Sequence, residues 1–110
     1  MRSADVAARL EALPPDARRL VYERLWLELT IIGRAVWSNP EFSEAQKLDG
    51  MKWLNEISHR VWGAHQNPSQ YAPSDLLDTI KSHIDNNVPY IGGDMAAGIQ
   101  RAIAGAAKSG

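Results

Sequence analysis

DARRLVYERLWLELTIIGRAVW, residues 16–37, contains no proline and a single glycine, Gly33, near its end. Its leucines, arginines and glutamates lose little rotamer freedom in a helix, so the run predicts one continuous helix of about six turns. Projected at about 100° per residue, Ala17, Leu20, Val21, Leu25, Leu27, Leu29, Ile31, Ile32, Ala35 and Val36 share one very broad apolar arc. An arc that wide predicts a helix central to a bundle. Arg24 and Glu28 fall inside it, four residues apart, and are expected as a polar pair held in the core or at a subunit interface. A polar site within the bundle, with Glu28 as ligand or base, is the other reading.

The opposite arc carries Trp26 and Trp37, eleven residues apart and so nearly on one face, together with Arg19, Tyr22, Glu23, Thr30 and Arg34. A solvated face normally lacks two indoles. Either the first or the last helix folds over them, or they form an interface, where a tryptophan supplies ~150–250 Å² of contact with few rotors to freeze.

Outward from this helix, the chain reads as helical throughout. A short first helix runs from a Ser3 cap to about residue 13, where Pro14 and Pro15 stop it. SNPEF, residues 38–42, breaks the long helix, because the residue before Pro40 is pushed out of the helical region. Ser43 with Gln46 makes a capping box that opens a third helix, ending near Gly63. HQNPSQYAPS, residues 65–74, is a loop, with Ser74 capping a fourth helix through about residue 85. NNVPYIGG, residues 86–93, leads to Asp94 as the cap of a final helix ending near Lys108, in which Gly98, Ala102 and Ala106 allow close approach of another helix. No stretch alternates at period two, so no strand is expected beyond a short extended piece at residues 88–91. The prediction is an all-α, single-domain bundle of about five helices over residues 1–110, built around a long antiparallel hairpin of the second and third helices.

Twelve basic and thirteen acidic residues interleave along the chain, leaving no basic tract for a phosphate backbone, so nucleic acid is not the expected partner. Cysteine is absent, which removes disulfides and thiolate chemistry and favours a reducing compartment. MRSADVAARLEALPP, residues 1–15, has no apolar core of a signal peptide, and no apolar run approaches the ~20 residues of a membrane span. A cytoplasmic protein without a membrane partner is expected.

Specific chemical motifs are few. Glu56 and His59 have the E-x-x-H spacing of ferritin-like bundles but no companion, and they project away from the apolar arc of Leu48, Met51, Leu54, Ile57, Val61 and Ala64. Gly92-Gly93-Asp94 lacks the lysine and strand of a phosphate loop. Neither a metal nor a cofactor is expected. Arg60-Val-Trp-Gly-Ala-His65 fits R-x4-H and resembles the R-x4-6-H pattern of HEPN-family ribonucleases, small helical bundles that usually act as dimers, to which this chain is similar in length and helical content. The resemblance implies a metal-independent endoribonuclease. In it His65 would shuttle a proton for attack of a ribose 2′-hydroxyl on phosphorus and Arg60 would hold the phosphate. From the residues alone, the same string is a helix C-terminus with His65 near the final carbonyls.

The function expected first is therefore non-enzymatic: a small interaction or regulatory protein that holds a protein partner, or a second copy of itself, through Trp26, Trp37, Trp62, Tyr22 and Arg34. The alternative is the HEPN-like ribonuclease using Arg60 and His65.

Overall fold

The computed structural model describes residues 3–109, with side chains over 6–106. Five helices follow one another: α1 (Ser3–Glu11), α2 (Pro15–Ser38), α3 (Glu44–Gln66), α4 (Pro73–Asn87) and α5 (Gly92–Ser109), with a 3₁₀ turn at Pro89–Ile91. The expected all-α bundle is present, and among the described residues there is no strand and no helix long and apolar enough to cross a membrane.

The helix starts follow local chemistry. Ser43 Oγ accepts from the Gln46 backbone N–H at 3.1 Å, and Gln46 Oε1 accepts from the Ser43 N–H at 2.8 Å, which completes the capping box ahead of α3. Pro15 and Pro73 occupy the first helical positions of α2 and α4, where a missing N–H costs nothing and φ is already helical. Pro73 thereby displaces Ser74 from its expected capping place, and Ala72 precedes the helix without a side-chain cap bond. Three further expectations change. Residues 88–91 are a 3₁₀ turn closed by Ile91 N–H to Val88 O at 3.0 Å, not extended chain, and α5 begins at Gly92, so Asp94 sits in its first turn rather than capping it. Gly63 lies inside α3, which runs on to Gln66. The Ser3 cap falls outside the described side chains.

α2 and α3 form the antiparallel hairpin, and α5 lies antiparallel along the other flank of α2. The first pairing brings Gly33 to Met51 and Val36 to Gly50; the second brings Ile32 to Gly98 and Arg24 to Gly105. Missing side chains set the spacing: a Cβ on Gly50 would stand 3.1 Å from Val36 Cγ1, and one on Gly98 would stand 3.2 Å from Ile32 Cδ1. Ala102 and Ala106 are buried on α5 as the small-residue spacing predicted. α1 packs on α4, and buried side chains from all five helices join one cluster with Leu25, Leu29, Ile57, Ile80 and Met95 among its members.

The buried stripe of α2 differs from the predicted arc. It comprises Val21, Tyr22, Leu25, Leu29, Ile32, Gly33 and Val36, while Leu20, Leu27 and Ile31 are 42%, 45% and 56% exposed. Tyr22, expected on the polar side, is fully buried. The helix is apolar around most of its circumference, so periodicity alone did not fix its rotation; the close approach of α3 over Gly33 and of α5 over Ile32 does.

Candidate protein-interaction surface

Tryptophans from two helices meet on the α2/α3 side of the molecule. Trp26 of α2 and Trp62 of α3 lie with ring centroids 5.7 Å apart and planes tilted by 53°, and they stay 38% and 44% exposed. Trp62 stacks on the His65 ring at 4.9 Å, one turn further along α3. His65 Nε2 is 3.8 Å from Glu23 Oε2, and Arg19 Nε donates to the His65 carbonyl at 3.1 Å. Arg19 thus satisfies one of the carbonyls left open at the end of α3, fixing the helix end that carries Trp62.

A groove runs from this cluster toward the other end of the hairpin, lined by Trp26, Gly33, Arg34, Trp37, Met51 and Asn55 among others. Trp37 is 56% exposed. Among the described residues, neither α1 nor α5 folds over the two indoles of α2 so as to bury them. Arg34 is exposed on the same groove.

Three other singled-out residues stand elsewhere. Tyr22 is inaccessible to any partner, because the rotation of α2 turns it into the core; burial pushes its phenol above the ordinary value, with the Arg18 charge acting against that shift. The Arg24–Glu28 pair is not a buried pair. Arg24 is exposed, with its aliphatic stem against Gly105, and the half-buried Glu28 instead accepts from Arg101 of α5, at 2.8 Å from Nη2 and 2.9 Å from Nε. The hydrogen bond that Arg101 donates to Glu28 raises the Arg101 pKa. The sequence pattern emphasised the i,i+4 spacing, whereas the pairing made is between helices.

Arg60 and His65 are not brought together. Five residues turn a helix by about 140° beyond a full circle, so Arg60 faces α4, in a polar groove with Lys52, Glu56, His59, Tyr71 and Asp75, while His65 faces α2. The E-x-x-H residues Glu56 and His59 share that polar groove, and among the described residues no three histidine, aspartate or glutamate side chains gather as a metal site.

The sequence reading missed Leu20, Leu27 and Ile31 as surface residues by assigning them to the core. Leu20 and Leu27 stand seven residues apart, the spacing of a second helical face. No protein-family model, no curated protein and no solved structure matches this chain.

Proposed function

We propose that this chain is a small, non-enzymatic helical interaction or regulatory protein that holds a protein partner or a second copy of itself through the tryptophan-bearing side of α2 and α3. The carrying observation is that Trp26, Trp37 and Trp62 all remain 38–56% exposed while Leu20, Leu27 and Ile31 are exposed on the same long helix. Scattered apolar residues on a surface need no explanation, but three indoles beside three large aliphatic side chains make the kind of patch that marks a binding surface. The cysteine-free composition supports a reducing, cytoplasmic setting.

Affinity capture from the native host tests the reading. Replacing Trp26 and Trp37 together by Ala abolishes capture or self-association while circular dichroism stays unchanged, since exposed indoles add little to the fold but about 2 kcal/mol or more to an interface. Replacing Arg60 and His65 together by Ala leaves it intact. Cleavage of RNA by the wild-type protein without added metal, lost in a correctly folded Arg60/His65 variant, overturns the proposal.

A further inference from the structure

Leu20, Glu23, Leu27, Thr30, Arg34 and Trp37 follow one another along α2 at alternating spacings of three and four. That is the spacing of a helix–helix seam. Yet every one of the six is exposed, with Ile31 beside them. α3 and α5 occupy the flanks of α2 and its buried stripe faces the core, so the helix carries a second seam directed at solvent.

We infer that this seam pairs, antiparallel and about a two-fold axis, with α2 of a second copy of the chain. The inference rests on the reading of this side as an interaction surface and names its occupant. The charges select that occupant. Glu23 and Arg34 are eleven residues apart, ~16 Å along the axis and about 20° around it. An antiparallel copy centred between Glu28 and Leu29 sets Glu23 opposite the partner's Arg34 and Arg34 opposite the partner's Glu23. The same register sets Leu20 opposite the partner's Trp37 and Leu27 opposite the partner's Thr30, each twice by symmetry, with Ile31 and Trp26 on the two flanks of the seam. A parallel pairing would set like charges together. Arg34 forms no ion pair among the described residues, and Glu23 meets only the distant His65 ring at 3.8 Å while staying 58% exposed, so both heads can reach across. Thr30 Oγ1 donates to the Trp26 carbonyl at 3.4 Å, so burying it leaves no unpaired hydroxyl.

Size agrees. The 24 residues of α2 extend ~36 Å, close to the 41 Å long axis of the molecule. A standard interface buries roughly 800 Å² per partner, about an eighth of this chain's 6480 Å², and α2 with Trp62 alongside runs far enough to supply it.

Sedimentation velocity of the full chain, from about 1 to about 200 µM, is the test. A reversible dimer of about 24 kDa, twice the 12.2 kDa chain, is expected. E23R and R34E each oppose like charges at two symmetric points and weaken self-association about tenfold or more. Mixing the two single variants restores it, because each then meets its opposite, and so does the double variant E23R/R34E. L27E at the centre removes the dimer, and with it the rise of melting temperature with concentration, while the melting temperature of the dilute monomer stays that of the wild type. A wild-type chain that stays monomeric, or a mixture that associates no better than its separate components, overturns the inference. A monomer that still captures a different protein through Trp26 and Trp37 overturns this inference and leaves the broader reading standing; metal-free RNA cleavage dependent on Arg60 and His65 removes the broader reading itself.

Discussion

Burying a hydroxyl without a well-aligned hydrogen-bond partner costs about 1–3 kcal/mol, and among the described residues the fully buried Tyr22 hydroxyl has no such partner: it feels the Arg18 guanidinium nearby, but that group's Nε is itself unbonded. Tyr90 makes the opposite case, since its hydroxyl donates to the Gln46 carbonyl at 2.6 Å and ties the 3₁₀ turn to the start of α3. Tyr22→Phe is therefore expected to leave stability at neutral pH unchanged or raise it by up to about 1 kcal/mol, while Tyr90→Phe lowers it by about 1 kcal/mol. Urea midpoints separate them, and a loss in Tyr22→Phe larger than that in Tyr90→Phe refutes the assignment. The alkaline arm gives a second readout. Burial disfavours the Tyr22 phenolate, so the folded chain keeps its phenolic proton above the ordinary pKa of 10.0, where the unfolded chain has lost it. Stability then falls as pH rises through and beyond about 10, and Tyr22→Phe makes that fall shallower, the remainder belonging to Tyr90, whose phenol burial also raises.

For the elements, the legible features were those written in local chemistry. Pro15 and the Ser43–Gln46 box are signals carried by one to four residues, and the starts of α2 and α3 follow them closely, whereas Pro73, at the first position of α4, displaced the cap expected at Ser74. The rotation of α2 was not legible, because a helix with leucine or isoleucine at 20, 25, 27, 29, 31 and 32 offers two apolar faces, and only the neighbours decide which is buried. This also explains the mistaken places of Tyr22 and of Arg24. Leu29→Ala, on the buried stripe, is expected to cost about 2–5 kcal/mol, whereas Leu27→Ala stays within about 0.5 kcal/mol. Chemical denaturation at a concentration low enough to keep the chain monomeric decides this. Equal losses would mean that α2 sits in the orientation its broad arc first suggested.

Across the whole molecule, the candidate site was legible in part: tryptophans on the non-core side of a long helix stood out in the sequence, but the contact that joins Trp26 to Trp62 depends on the α2–α3 register, which no local motif encodes. Conversely, the R-x4-H string was easy to read and misleading about placement, since nearness in sequence turned its two side chains toward different helices. The decisive whole-molecule property is that the five helices leave the indoles uncovered. Three of four tryptophans are exposed and Trp53 is half-buried, under Lys52 Nζ at 5.0 Å and beside the His83 ring at 5.2 Å. A dilute solution should therefore show red-shifted tryptophan emission that acrylamide quenches efficiently, with Trp26→Phe, Trp37→Phe and Trp62→Phe each removing part of the quenchable signal and Trp53→Phe removing the most protected part. Raising the concentration should then shift the emission to the blue and protect Trp26 and Trp37, which lie on or beside the seam, more than Trp53, which lies away from it. Emission already blue and resistant to quencher at the lowest concentration would mean that the indoles are covered within a single chain, and the reading of this side as a binding surface would fall with it.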